Sequence, residues 1–137
     1  MKLTLDTNIL IAAFLARGAC HELLEHCERH HEIISSDFIF NEFEAKLLGK
    51  FKVPPGKVAD AVQLVRSCSV TVDPAGLREP VCRDSDDDWV LATAVEGRCV
   101  CIVTGDKDLL TLGNYAGVRI LSPRSFWKFE AEQIGQT

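Results

Sequence analysis

The segment that most constrains the fold is the run VCIV at residues 100–103, which Thr104, Gly105 and Asp106 follow directly. A short apolar run, rich in β-branched residues and bounded by turn residues, is typical of a strand that is buried on both faces. Such strands occur in parallel sheets, in which helices connect the strands and cover the two faces. The run therefore predicts an α/β fold, with Asp106 just beyond the carboxyl end of a central strand.

The rest of the chain alternates between strand and helix patterns, as a parallel sheet requires. Five strands are predicted, at residues 3–6, 32–35, 70–72, 100–103 and 118–121. Seven helices are predicted around them, at residues 7–17, 20–31, 36–51, from the Pro54-Pro55 turn through Val65, at 86–96 and 107–112, and from Ser122-Pro123 onward. The pattern predicts a three-layer α/β/α sandwich with a central parallel sheet of about five strands, in a single domain over residues 1–137.

Composition excludes several classes of protein. No apolar run approaches the ~18 residues that span a bilayer, so no membrane association is expected. Asp6 and Asn8 interrupt the apolar N-terminal stretch, which argues against a signal peptide. Six cysteines are too few and too unevenly spaced for a disulfide scaffold, which favours reduced thiols and a cytoplasmic location. The net charge of −5 argues against non-specific nucleic-acid binding, although an active site made of carboxylates would contribute to that charge.

Three carboxylates stand at positions that suggest chemistry. Asp6 and Asp106 each follow a predicted strand, at the edge of a parallel sheet where ligands bind. Glu42 lies along the apolar stripe of its helix, where an ionised carboxylate is costly unless it is paired or bound to a cation. Each also has an ordinary explanation, because Asp6 and Asp106 suit helix N-caps and Glu42 can pair with Lys46 one turn away.

A fourth acidic feature is the run Asp84-Ser85-Asp86-Asp87-Asp88 at the start of a helix. Four aspartates in five positions exceed what capping requires, and they repel one another without a counter-ion. Asp88 is predicted to face the sheet with Leu91, Ala92 and Val95, and Asp84 to lie one turn earlier on the same side. One cluster of oxygen ligands would account for all four features, and such ligands favour Mg²⁺ or Mn²⁺ over zinc.

The sequence resembles the PIN domain family over nearly its whole length. The motifs that carry the resemblance are LDTNILIAA (residues 5–13), SSDFIFNEFEAKL (35–47), DSDDDWVLATAVEG (84–97), IVTGDKDLL (102–110) and LSPRSFWKF (121–129). The resemblance implies a metal-binding quartet of Asp6, Glu42, Asp88 and Asp106, with Asp84, Asp87 and Asp108 as assistants. A shift of one residue in the crowded third motif would select Asp87 in place of Asp88.

The resemblance also implies an activity and partners. It implies a Mg²⁺- or Mn²⁺-dependent endoribonuclease acting on RNA, of the kind found as VapC toxins of toxin–antitoxin pairs, with an antitoxin protein as partner and a homodimer as the expected assembly. Thr104 and Asn8 are candidates to orient a carboxylate or a water molecule. Lys46, Lys50, Lys52 and Arg83 are candidates for contacts with the RNA backbone.

Three alternatives remain open at this stage. The second helix presents His26 with His30, and Cys27 with His31, at i,i+4 spacing that could bind zinc, although the cysteines fit its core stripe and the histidines a solvated face. A phosphatase that uses Asp6 as nucleophile is a second alternative, but it would want an acidic residue at position 8, which is Asn. A catalytically silent PIN-like module that binds a protein is the third.

Overall fold

The central element is a six-stranded sheet. The structure is a computed structural model that describes residues 1–135. The strands are β1 (Lys2–Leu5), β2 (Glu32–Ser36), β3 (Ser69–Val72), β4 (Cys101–Val103), β5 (Asn114–Tyr115) and β6 (Val118–Leu121). Their order is β3-β2-β1-β4-β6-β5, and each neighbouring pair is parallel except β5 and β6. The predicted α/β class and all five predicted strands are confirmed, and the two-residue strand β5 is an addition.

Seven helices occur within residues 1–135. They are α1 (Thr7–Leu15), α2 (Ala19–His30), α3 (Asp37–Gly49), α4 (Pro55–Ser67), α5 (Ser85–Glu96), α6 (Lys107–Leu112) and α7 (Pro123–Gly135). Ser122 caps α7 as predicted, since its Oγ accepts the amide of Ser125 at 3.1 Å. Ser36 precedes α3 but makes no capping bond. Its hydroxyl instead lies 2.9 Å from that of Thr93, which joins β2 to α5.

The core has two parts, one on each face of the sheet. Alternate strand residues, such as Leu3, Leu5 and Val103, pack under α1, α2, α3, α4 and α7. Their neighbours Ile34, Ile102 and Ile120 pack under α5 and α6 on the opposite face. Burying each such side chain contributes about 1.5–3 kcal/mol. The sheet therefore forms the middle layer of the predicted α/β/α sandwich.

The strand order reverses between β1 and β4, which are adjacent at the centre of the sheet and aligned with Leu5 opposite Val103. One residue further on, the Asp6 amide donates to the Val103 carbonyl and the Thr104 amide to that of Leu121, both at 2.9 Å. The reversal creates a crevice at the carboxyl ends of the strands, where α/β proteins bind ligands. Asp6 and Thr104 enter that crevice from backbone fixed by the sheet.

Two features of residues 1–135 bear on the predictions about membrane association and about the cysteines. No helix in this range combines the length and apolar character that crossing a bilayer requires. All six cysteines are free thiols.

Candidate metal centre

Asp6 lies at the bottom of the crevice and is only 5% exposed. Its Oδ1 accepts the Thr7 amide at 2.7 Å, so it caps α1, and its Oδ2 accepts the Thr104 hydroxyl at 2.6 Å. Burial raises the pKa of Asp6 despite these two bonds, and the negative charge of Asp106 adds to the rise. A buried carboxylate of this kind is stabilised in its ionised form by a bound cation.

Thr104 connects the two strand-end aspartates. Its hydroxyl donates to Asp6 and accepts the Asp106 amide at 3.0 Å. Asp106 in turn caps α6, since its Oδ1 accepts the amides of Asp108 and Leu109 at 2.9 and 3.1 Å. Thr104 is fully buried, so its hydroxyl fixes the relative position of the two carboxylates. The capping interpretation of Asp6 and Asp106 is therefore confirmed, and capping leaves both carboxylates in the crevice, where they could also bind a ligand.

The structure corrects the expected orientation of Asp88. Its carboxylate turns to the preceding loop, where it accepts the Cys82 amide at 2.8 Å and the Val81 amide at 3.2 Å. The buried residues of α5 are Asp87, Val90, Leu91, Ala92, Thr93 and Ala94. Val95, which the predicted face included, is 39% exposed, whereas Val90, Leu91 and Ala94 pack in the core between α5 and the sheet, and this packing turns Asp87 inward. Asp87 therefore lies in the crevice, in place of Asp88.

Asp87 forms the tightest acidic group with Asp106 and Asp108. One carboxylate oxygen from each lies within 4.8 Å of the others. Burial raises the pKa of Asp87 to about 7, and the charges of nearby carboxylates, Asp106 first and then Asp6, contribute to the rise. Oxygen donors of this kind match the ligand preference of Mg²⁺ and Mn²⁺, so the group could hold a divalent metal.

Glu42 reaches the same crevice from α3 and is half-buried. Burial raises its pKa, Lys46 lowers it through a contact of 4.0 Å, and the charges of Asp6 and Asp86 raise it. Thr7 Oγ1 also acts to lower this pKa, yet it is buried without a hydrogen bond of ordinary geometry. Glu42 is therefore close enough to Asp6 for the two charges to interact, and its predicted pairing with Lys46 is confirmed.

The other predicted assistants lie at the rim. Asp84 is exposed and accepts the Asp86 amide at 2.9 Å. Asp108 is exposed and pairs with Arg83 at 2.7 Å. Asn8 lies across the crevice, where its Oδ1 accepts the Gly105 amide at 3.4 Å. Each of these contacts uses a side-chain oxygen at the rim that would otherwise be free to contact a ligand.

The predicted cations are dispersed around the crevice. Lys46 faces Glu42 and Arg83 faces Asp108, while Lys50 lies over the ring of Phe51 at 5.4 Å. Lys52 is exposed, at a positive φ of 51°. Two of the four are thus near the carboxylates and available to a polyanion at the rim.

The raised pKa of Asp87 predicts a pH effect on stability in metal-free protein. Between pH 4 and pH 7 the unfolded state releases this proton while the folded state keeps it, so the free energy of unfolding falls as pH rises through that window. Asp87→Asn should remove on the order of 2 kcal/mol of this loss, a value reduced from the full shift because solvent screens part of the repulsion. Denaturant unfolding of both proteins in chelator, from pH 4 to pH 8, measures it.

Asp88→Asn is the matched control for this pH effect, because Asp88 lies outside the acidic group. The free energy of unfolding of Asp87→Asn should still fall somewhat as pH rises, because burial also raises the pKa of Asp6 and of Glu42. Equal slopes for wild type and Asp87→Asn would contradict the interpretation.

A mostly parallel sheet with carboxylates gathered at its switch point defines the class: an α/β domain with an acidic centre that could bind a divalent metal. The sequence profile of the PIN domain family matches residues 2–108, so this chain belongs to that family. Proteins with PIN domains are generally nucleases. The match includes β1, the Glu42 helix, the acidic start of α5 and Asp106.

The chain is also similar to individual proteins in sequence or in fold. The chain is 28% identical over 118 residues to the uncharacterised protein MJ1680 of Methanocaldococcus jannaschii, covering 82% of this chain and 75% of that protein. The fold of this chain is similar to that of a chain of VapBC2 from Rickettsia felis, solved bound to promoter DNA, with TM-score 0.66 and 14% identity. The match covers 89% of this chain and 98% of that one. The fold is also similar to that of a chain of VapBC-1 from nontypeable Haemophilus influenzae, with TM-score 0.62, 14% identity and coverage of 90% and 99%.

Proposed function

We propose that this chain is a Mg²⁺- or Mn²⁺-dependent endoribonuclease. The observation that carries the proposal is the convergence of Asp6, Asp87 and Asp106 in one crevice, where burial and the negative charge of Asp106 raise the pKa values of Asp6 and Asp87. Such mutual repulsion is relieved when a divalent cation binds between the oxygens. Membership of a family of nucleases supports hydrolysis of phosphodiesters as the reaction.

The residues fit a metal bound by oxygen atoms. Asp87, Asp106 and Asp108 would hold it, with Asp6 and Glu42 on the buried side of the crevice. When bound, the metal supplies charge neutralisation at the phosphodiester and a lowered pKa for water. Thr104 keeps the Asp6 and Asp106 carboxylates in register, and Asn8 holds the Gly105 amide at the rim. RNA contacts come from Lys46 and Arg83, with Lys50 and Lys52 further out.

The phosphatase alternative is disfavoured by the surroundings of Asp6. Both of its carboxylate oxygens already accept hydrogen bonds, from Thr7 and Thr104, and the side chain is 5% exposed. A covalent nucleophile needs one oxygen free to reach phosphorus. Residue 8, where a partner acid is wanted, is Asn and contacts Gly105.

An antitoxin partner is the second part of the proposal. The fold is that of chains found in VapBC complexes. On the α1–α4 side, Phe14, Leu15 and Leu64 are 39%, 45% and 62% exposed and border a cavity of about 350 Å³. Exposed apolar side chains around a groove suit the apolar face of a partner helix. We propose an antitoxin segment there, and a homodimer as the assembly.

The test of the nuclease proposal is cleavage of single-stranded and structured RNA with Mn²⁺, with Mg²⁺ and with chelator. Cleavage should require the metal. Asp106→Asn should lower the rate at least about tenfold, a loss of ~1.4 kcal/mol of transition-state stabilisation. Asparagine caps helices about as well as aspartate, so the variant should remain folded. Equal rates in the two proteins, or cleavage that persists in chelator, would contradict the proposal.

A catalytically silent binding module is the second candidate. The observation that favours it is the net charge of −5 together with the pairing of Arg83 with Asp108. Because Arg83 is already paired with a carboxylate, the rim stays acidic and would repel a polyanion such as RNA. This candidate predicts no cleavage by wild type with either metal. Retained binding of the antitoxin-type partner in that case would establish the module.

A further inference from the structure

A second cluster of metal-ligating side chains lies at the opposite edge of the sheet from the carboxylates. It consists of His26 on α2, His31 just after α2, and Glu130 on α7. His31 directly precedes β2, whose first amide, that of Glu32, donates to the Met1 carbonyl at 2.9 Å. The cluster is therefore at the amino ends of β1 and β2, while the acidic centre is at the carboxyl ends.

The two histidines converge on a single carboxylate oxygen. Nε2 of His26 lies 2.6 Å, and Nε2 of His31 2.5 Å, from Oε2 of Glu130. Residues five apart in a continuous helix point to different sides. Here α2 ends at His30 and His31 is extended, with φ −139° and ψ 174°, which turns its ring back toward that of His26.

The surroundings of the cluster are largely apolar. The side chains of His26, His31 and Glu130 are 28%, 7% and 12% exposed. Trp127 packs edge-on against the His26 ring at 4.7 Å, and Phe126 against that of His31 at 6.0 Å. The prediction that the histidines form a solvated face is therefore wrong for His26 and His31, whereas His30 is exposed. Burial acts to raise the pKa of Glu130, but the bonds from His31 and His26 outweigh it and lower that pKa.

The donor set is that of zinc. Two imidazole nitrogens and one carboxylate oxygen, with a fourth position left open, form a common zinc site, and imidazole favours zinc over Mg²⁺. The three ligand atoms lie within 4.8 Å of one another. Tetrahedral zinc with bonds of about 2.0–2.2 Å needs them about 3.3 Å apart, so small side-chain movements suffice. The open position would face a cavity of about 540 Å³ that is lined by His30 and Gln133.

We propose that His26, His31 and Glu130 form a zinc site that cross-links α2 to α7, independent of the carboxylate centre and of any nuclease activity. The two pairs suggested by the sequence, His26 with His30 and Cys27 with His31, are not the ligand set. Nδ1 of His31 lies 3.1 Å from the amino group of Met1. Zinc bound to Nε2 leaves the ring proton on Nδ1. Nδ1 then cannot accept a hydrogen bond from the Met1 amino group, so zinc binding should break this contact.

The test is titration calorimetry with Zn²⁺ in excess Mg²⁺, which is added to compete for the carboxylate centre. Wild type should bind one Zn²⁺ per chain. His26→Gln and Glu130→Gln should each weaken binding at least about 100-fold, since even the loss of residues that only support metal ligands weakens binding 10–100-fold. His21→Gln is the matched control: it is on the same helix, but it contacts Ala13 and Glu25 and should bind as wild type does.

Two further measurements keep the result decisive if a variant folds poorly. Zn²⁺ should raise the Tm of wild type and of His21→Gln but not that of His26→Gln, because the metal binds only the folded state. Co²⁺ in wild type should give the visible spectrum of a four-coordinate site without a thiolate charge-transfer band. No Zn²⁺ binding, equal binding in all four proteins, or a thiolate band would overturn the proposal and leave the cluster as a hydrogen-bonded brace.

Discussion

Asp6→Asn should reduce metal-dependent RNA cleavage by about 1,000-fold, because a metal supplies several kcal/mol of transition-state stabilisation and ~4 kcal/mol corresponds to that factor. Asp6 is the most buried carboxylate of the centre and is fixed on both oxygens. Asparagine keeps its shape and can still cap α1, but it removes the negative charge. Initial rates with Mn²⁺, compared between variant and wild type purified in parallel, measure the effect.

The stability of the same variant separates catalysis from folding. Burial raises the pKa of Asp6, so the ionised carboxylate destabilises metal-free protein near neutral pH. Asp6→Asn should therefore unfold at a Tm equal to or above that of wild type in chelator. Added Mn²⁺ should stabilise wild type more than the variant. A variant with full activity would remove Asp6 from the centre, and one that is inactive and also unfolds in chelator would assign Asp6 a purely structural role.

Elements with a strong local signal were predictable from the sequence. The VCIV run, Pro55 and Ser122-Pro123 each predict a boundary through local chemistry, and the observed elements begin within about two residues of those positions. The positions of Asp6 and Asp106 close to each other were also predictable, because the carboxyl ends of parallel strands meet at one edge of the sheet. Strand β5 was not, since its two residues, Asn114 and Tyr115, pair only after the Gly113 turn brings them beside β6.

The features that the sequence did not predict depend on contacts between distant elements. Asp87 and Asp88 lie about 100° apart around α5, so the packing of this helix on the sheet decides which of them faces the crevice. The local signal that could have identified Asp87 is its i, i+3, i+4, i+7 spacing with Val90, Leu91 and Ala94. Glu130 had no local signal, because only the packing of α7 on α2 places it between two histidines about 100 residues earlier in the chain.

Asp87→Asn and Asp88→Asn should have opposite outcomes, although the substitutions are adjacent and chemically identical. Asp87 is 9% exposed and groups with Asp106 and Asp108, so losing its charge should weaken Mn²⁺ binding and slow cleavage about 100-fold. Asp88 instead accepts the Val81 and Cys82 amides. Asparagine keeps one acceptor oxygen there, and the variant should cleave within a few-fold of wild type, with a small loss of stability from the weakened loop contact.

Calorimetric titration with Mn²⁺ should accompany the cleavage assay, because it tests the centre even if the RNA substrate is wrongly chosen. Weakened Mn²⁺ binding in Asp87→Asn alone would assign Asp87 to the centre. The reverse result would restore Asp88 as the third ligand and require the start of α5 to rotate when metal binds. Undiminished Mn²⁺ binding in both variants would limit the centre to the strand-end aspartates and Glu42, because those ligands do not depend on how α5 begins.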